Sequence, residues 1–387
     1  MSREARRREP ALRPKTRLEV SDSHLSIRVV CVVVAIVVAA LAFGAVINGL
    51  LSTPAGWQQI EAVSSKTGID QDFLLCYNLG QTEQDASVEK KAVAALYTQL
   101  LDGAYRVLSN TQQESEINLY TLNHQPNTAL TVDPLLYAAL QTLEESGSRL
   151  PYFAPLMTTY QNYFQNVYED AGEQYEQFRR EIAAFAMDSD AVQVKLLPEN
   201  TVRLEISPEY LAYARENEVE HFLDFGILLN AFLCDAVAQG LEEQGYVNGY
   251  VTSFDGYARS LCAEQLGLNV FDLVEGTAAQ LGTVTYTGPG SLVSCRSFPI
   301  LEQDSVNYFT CSDGTVLAPY LNDQGQLHAA AASLSTFAQG TAAALALRTL
   351  AAFAGEDDTF AALDDLSWVS GANGQITLHG QAFQLAE

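Results

Sequence analysis

The chain has 387 residues, 48% hydrophobic and 18% charged, which supplies a buried core and excludes a disordered tail, a collagen-like chain or a mini-protein scaffold. Its 47 acidic and 21 basic side chains leave a formal charge of −26. A field of that sign repels phosphate backbones and excludes nucleic acid as a partner.

The charge is uneven. Residues 1–28 form a net basic arm with Arg6-Arg7-Arg8 inside it, and the body that follows is strongly acidic. Between them, Val29 to Leu51 carries no charge. As a helix it would rise about 34 Å, enough to cross a bilayer. It is longer than the apolar region of a cleaved signal peptide, so residues 29–51 are expected to be a transmembrane signal anchor in the cell membrane. The basic arm is expected in the cytoplasm and the C-terminal body outside it. The first expected partner is therefore the lipid bilayer. Five cysteines follow the segment (Cys76, Cys234, Cys262, Cys295, Cys311), an odd number without close CxxC spacing. That argues against a disulfide framework and a zinc site, while one pair such as Cys295 with Cys311 stays open.

Residues 52–72 read as a linker and 73–387 as one α+β domain. Phe73 to Leu79 reads as a strand, and Ser87 to Leu108 as a helix with Val88, Val93, Leu96, Leu100 and Val107 near one face. Pro134 to Ser146 reads as a helix with Asp133 as N-cap, Pro134 at its first position and Gly147 ending it. One long helix is expected from Pro155 to Met187, its aromatic stripe serving as core packing. Strands at Val192 to Leu197 and Thr201 to Ile206 are joined by Pro198-Glu199-Asn200. A helix from Leu228 to Glu243 leads to a strand at Tyr250 to Ser253. A further helix is expected around Val270 to Gln280, then strands at Thr283 to Thr287 and Ser291 to Phe298. Asn307 to Thr310 and Thr315 to Pro319 flank the turn Ser312-Asp313-Gly314. The Ala-rich run from Ala329 to Phe353 reads as a buried helix, and Ser367 to Phe383 as a hairpin turning at Asn373-Gly374.

Short segments in this order resemble the FAD:protein FMN transferases (ApbE-like flavin transferases) from about Phe73 to the C-terminus. Ser115-Glu116-Ile117-Asn118-Leu119-Tyr120-Thr121-Leu122-Asn123 is similar to the family's Ser-Glu-Ile-x-x-Leu-Asn, and Pro155-Leu156 to its Gly-Pro-Leu. Leu223-Asp224-Phe225-Gly226-Ile227-Leu228-Leu229-Asn230-Ala231-Phe232-Leu233-Cys234-Asp235 is similar to Leu-Asp-x-Gly-Gly-Ile-Ala-Lys-Gly-Tyr-x-x-Asp, with Ile227, Asn230 and Ala231 replacing Gly, Lys and Gly. Ser253-Phe254-Asp255-Gly256 stands where the family has Asn-Leu-Gly-Gly, and Pro319 to Gly325 where it has His-Ile-Ile-Asp-Pro-x-Thr-Gly. Leu345-Ala346-Leu347-Arg348-Thr349 resembles Asp-Ala-x-x-Thr, whose Asp and Thr bind the divalent metal.

The resemblance implies an ApbE-like α+β fold, FAD as ligand, cofactor contacts at Asn123, Asp224, Gly226, Asn230 and Gly256, and Thr349 as the surviving metal position. Moving FMN from FAD to a Ser/Thr hydroxyl builds charge on phosphate oxygens, which a cation must neutralise. Mg²⁺ is held by carboxylates, water and phosphate, and Leu345 supplies no oxygen. Two readings follow. One is a catalytically impaired flavin- or flavoprotein-binding module, working with an exported flavoprotein or a membrane redox complex. The other is an active Mg²⁺-dependent transferase acting on an exported acceptor protein.

Overall fold

Alternation in Phe73–Leu79 puts Phe73, Leu75, Tyr77 and Leu79 on one side, and in the computed structural model these four are buried in the main core. The structure describes residues 53–386 apart from 83, 111–116, 167–171, 301–303, 305–306 and 312–313, with backbone alone for the remainder of 161–174.

The first half of the chain forms β1 (Gly56–Ile60), β2 (Phe73–Leu79), α1 (Ala86–Leu108), α2 (Leu119–His124), β3 (Ala129–Thr131), α3 (Pro134–Ser146), α4 (Ala154–Asn166) and α5 (Gly172–Met187). There follow β4 (Val192–Leu197), β5 (Thr201–Ile206), α6 (Pro208–Glu216), α7 (Leu229–Glu243), β6 (Gly249–Ser253), β7 (Tyr257–Ser260), β8 (Gln265–Val274), β9 (Thr277–Thr287) and β10 (Gly290–Arg296). The last elements are β11 (Phe309–Thr310), β12 (Val316–Leu317), β13 (Ser333–Ala338), α8 (Ala342–Ala354), β14 (Ser367–Ala372), β15 (Gln375–His379) and β16 (Gln384–Leu385).

Eight strands form one antiparallel sheet in the order β1-β2-β6-β7-β10-β13-β14-β15. Helices α7 and α8 lie against its central strands, and α1 packs on α7. The β8–β9 hairpin, extended by β16, meets the sheet at β13 and β14. The period-2 geometry of strands explains the two layers: in β10, Val293 and Cys295 enter the main core while Leu292 enters a second, smaller core with Val270, Val284, Phe337 and Val369. A separate sheet, β3-β5-β4, completes the α+β architecture.

Local chemistry accounts for the elements that follow expectation. Asp133 accepts a hydrogen bond from the Leu135 N–H, Pro134 opens α3 and Gly147 ends it in the left-handed region at φ 65°. Glu199 and Asn200 turn β4 into β5 with φ of 59° and 52°. Asn373 and Gly374 turn β14 into β15, at φ of 53° and 73°. Within the stretch 52–72, expected as linker, β1 pairs with β2, and the compact unit runs from Pro54 to Glu387. Among the described residues no helix is long and apolar enough to cross a membrane. The anchor expected at 29–51 lies outside the described residues, as do Ser115 and Glu116 and most of the turn at 312–314. Cys76, Cys234, Cys262 and Cys295 are not in disulfides, so the pair Cys295 with Cys311 is not formed.

In the stretch 155–187 the described residues are helical on both sides, α4 and α5, and 167–171 between them lie outside the described residues. Two expectations are corrected. No helix spans 270–280: Glu275 and Gly276, at φ of 52° and 77°, turn β8 into β9. Two successive left-handed residues make a tight hairpin, which a helical reading of the Val/Phe/Leu spacing misses. The Ala-rich run is split as well, with Ser333–Ala338 forming β13 between β10 and β14 and the helix starting only at Ala342. A strand buried on both faces loses its alternation, so periodicity does not separate it from a buried helix.

The start of α8 is held from outside by Asp235 of α7. Its two carboxylate oxygens accept from the Ala342 and Ala343 N–H groups at 2.7 and 2.8 Å, and Arg259 of β7 stands 3.4 Å away. An anion at a helix N-terminus meets both the free N–H groups and the positive dipole end. Asp235→Ala is expected to lose about 2–4 kcal/mol by leaving these donors without an acceptor and the largely buried Arg259 without its carboxylate, its Nη1 still donating to Ser291 and the Gly340 carbonyl. Asp235→Asn, which keeps an acceptor, is expected to lose less. Urea unfolding midpoints check the ranking, and equal losses would contradict it.

Candidate functional site

The segments that lead into α7 and out of β6 are shaped by two glycines. Gly226 opens a short 3-10 turn ahead of α7 with φ 50°, and a Cβ there would fall 2.2 Å from the Met157 sulfur. Gly256 has φ 108°, and a Cβ there would meet the Ser294 carbonyl oxygen at 2.1 Å. At Gly256 a side chain would strike backbone at a φ that favours glycine, whereas at Gly226 it would require Met157 to move. Both segments border a cavity of about 420 Å³, within the range of roughly 300–1,000 Å³ usual for small-molecule sites.

Its walls come from distant parts of the chain: Met157 and Tyr160 of α4, Gly226 and Ile227 before α7, Phe254 and Asp255 between β6 and β7, and Tyr257 of β7. Ser294 and Arg296 of β10, the segment around Asp304 and Tyr308, and Pro319 to Leu321 close it. Thus four of the family-like segments (around 155–156, 223–235, 253–256 and 319–325) converge on one space.

Asp255 is the least compensated group. Its Oδ2 accepts from the Asn230 amide at 2.9 Å, while its buried Oδ1 has no partner. Burial pushes its carboxyl up to about 6, with the charge of Asp72 adding to the rise and the Ser253 and Asn230 side chains opposing it. Arg296 pairs with Asp304 at 3.4 Å, its backbone N–H donates to the Tyr320 hydroxyl and its carbonyl accepts from the Tyr308 hydroxyl. Burial raises the pKa of both Tyr308 and Tyr320, so they remain neutral donors and acceptors.

The expected cofactor residues divide into two groups. Gly226 lines the cavity, Gly256 lies between lining residues, and Asn230 reaches it through Asp255. Asn123 and Asp224 sit behind the wall. The Asn123 amide donates to the Leu223 carbonyl and to Asn110, both at 2.8 Å, and its oxygen accepts from the Phe222 and Leu223 N–H groups at 2.8 and 3.0 Å. It therefore pins the strand of chain that delivers Gly226. Asp224 accepts from the Gly226 N–H at 3.0 Å, a short-range turn that orients the same glycine. Burial raises its pKa.

Thr349 lies elsewhere. It is fully buried, donates to the Leu345 carbonyl at 2.9 Å and is 2.6 Å from the Thr336 hydroxyl, and neither it nor Leu345 lines the cavity. A divalent metal implied by the family resemblance does not fit these donors, because Leu345 offers no oxygen and the threonine hydroxyl is already engaged. Among the described residues no group of three His, Cys, Asp or Glu side chains could hold a metal ion. Sequence reasoning did not single out Arg296, Asp304 or Tyr320. Arg296 and Asp304 have no motif around them, Tyr320 lies in the family-like segment 319–325 at a position given no role, and only the sheet brings β10 beside the β6–β7 turn.

No protein-family model matches the chain, and no curated protein matches it. Solved structures do. The ApbE protein of Thermotoga maritima superposes with a TM-score of 0.56 at 15% identity, covering 86% of this chain and 97% of its own. The flavin transferase ApbE of Vibrio cholerae gives 0.54 at 12% identity over 84% and 98%. The flavinyl transferase ApbE of Pseudomonas stutzeri in its apo form gives 0.51 at 14% identity over 79% and 90%. At these identities the likeness is one of fold, and the chain has the ApbE fold.

The raised Asp255 carboxyl has a consequence for stability. The folded protein holds its proton up to about pH 6, whereas the unfolded chain releases it near the ordinary value of 3.8. Stability therefore falls as pH rises through that window, and the loss is complete above it. Asp255→Asn is expected to stabilise the protein at pH 8 by on the order of 1–3 kcal/mol and to change little at pH 4. Urea midpoints at the two pH values test this. An equal effect at both would show that the carboxyl is not displaced upward.

Proposed function

We propose that this ApbE-fold chain binds a flavin in the cavity beside Gly226 and Gly256 and does not transfer FMN from FAD by a metal-assisted route. The observation that carries the reading is the convergence of four family-like segments on one cavity of about 420 Å³, with Leu345 and Thr349 outside its lining. In phosphoryl transfer the protein acts by positioning and by neutralising charge on the phosphate oxygens. Here the only cationic lining side chain among the described residues, Arg296, already faces Asp304.

The chain's own residues support binding rather than turnover. Gly226 and Gly256 let the backbone pack against Met157 and the Ser294 carbonyl and so shape the wall, Asn123 and Asp224 hold Gly226 in place, and Tyr257, Tyr308 and Tyr320 offer aromatic and hydroxyl surface. FAD as ligand follows from the fold likeness and stays part of the proposal, as does the placement of residues 29–51 in a bilayer with the body on the far side. An exported flavoprotein or a membrane redox complex is the partner such a module would serve. The competing reading, an active transferase, is favoured by the 97% and 98% coverage of known ApbE chains.

Titration of the purified full chain with flavins, with and without Mg²⁺, separates the two. Binding is expected to be independent of Mg²⁺, and no AMP is expected from FAD in the presence of a Ser/Thr acceptor peptide. Mg²⁺-dependent AMP release with flavinylated peptide would refute the binding-module reading.

A further inference from the structure

We propose that Phe254 is the stacking surface for the isoalloxazine ring, so that the cavity recognises the part of the ligand that riboflavin, FMN and FAD share. The inference rests on the flavin-binding reading and adds the residue that grips the ring.

Among the described residues, the aromatic side chains that line the cavity are Tyr160, Phe254, Tyr257, Tyr308 and Tyr320. The tyrosines are committed to the protein. Tyr160, Tyr257 and Tyr320 are buried, Tyr160 donates its hydroxyl to the Gly325 carbonyl at 2.9 Å, and Tyr320 packs edge-to-face with Phe353. Tyr308 is tied through its hydroxyl to the Arg296 carbonyl at 3.2 Å. Phe254 differs, being 49% exposed on the cavity wall. A half-exposed phenyl in that place is apolar surface that a planar ligand covers with favourable aromatic contact.

The turn that carries Phe254 is held by three other segments. The Phe254 N–H donates to the Asp72 carbonyl at 2.9 Å, the Gly256 carbonyl accepts from the Ser294 N–H at 2.8 Å, and the Asp255 carboxylate accepts from the Asn230 amide at 2.9 Å. Ser253 and Tyr257 on either side are buried. The phenyl is thus presented on a fixed backbone, which lowers the ordering cost of binding. The resemblance gives leucine at this position, so the ring is a feature of this chain. Stacking asks for no cation, which agrees with a cavity whose one lining guanidinium among the described residues faces Asp304.

Calorimetric titration of the full chain with riboflavin, FMN and FAD tests the assignment. Phe254→Ala is expected to weaken all three by a similar factor, about tenfold, and Phe254→Leu by about threefold. Phe254→Trp is expected to keep the wild-type affinity and to add a long-wavelength charge-transfer absorption between the electron-rich indole and the oxidised flavin. A loss confined to FAD would place the ring against adenine and overturn the assignment. Unchanged affinities in Phe254→Ala, or a Phe254→Trp complex without the new absorption, would also overturn it and leave flavin binding intact. Binding of none of the three to the wild type would overturn both. The Phe254→Trp spectrum stands as a test even where the alanine variant does not fold.

Discussion

The carboxylate of Asp235 is the joint on which the helical layer depends. Helix α8 is almost wholly apolar and lies against β10 and β13, so its N-terminal N–H groups need a partner that the surrounding core does not provide. Asp235 reaches across from α7, binds two of those N–H groups and stands beside Arg259 of β7. Burial pushes its carboxyl up to about 6 even with these partners pulling it down. One charged group thereby sets α7 and α8 relative to the sheet, and α7 in turn carries the segment that borders the cavity.

Around that frame, the cavity wall is made by residues that point inward because their backbones have nowhere else to go. Gly226 lies against the Met157 side chain and Gly256 against the Ser294 carbonyl, the second at a distance that no side chain tolerates. Asn123 and Asp224 act one layer back, hydrogen-bonded to the chain that carries Gly226. The contrast with Thr349 is chemical as well as spatial. A hydroxyl hydrogen-bonded inside a helix and sheet interface keeps two elements together, while a metal ligand must keep a lone pair open and have anionic neighbours.

Much of the architecture was legible where local chemistry and periodicity agreed. The strand Phe73–Leu79, the capped helix Pro134–Ser146, and the turns at 198–200 and 373–374 carry alternation, caps and turn residues that act within a few positions. Reading failed at 270–280 and 329–353. In the first, Glu275-Gly276 is a turn whose first residue gives no warning, and in the second, Ser333–Ala338 is buried on both faces of the sheet. The family-like segments were found by their order along the chain, yet their order did not say which of them meet.

From the sequence alone came the acidic body, the uncharged segment at 29–51 and the α+β class, because composition and residue identity are properties of the chain itself; the resemblance added that Leu345 and Asn230 stand where flavin transferases are expected to have an acid and a lysine. The tertiary structure decided that Asp255 has an oxygen without a partner, that Arg296 faces Asp304, and that Thr349 is sealed against Thr336. Those facts depend on which strands lie side by side. Antiparallel pairing of β7 with β10 and of β10 with β13 joins positions tens of residues apart, and no periodicity within a single segment encodes that choice.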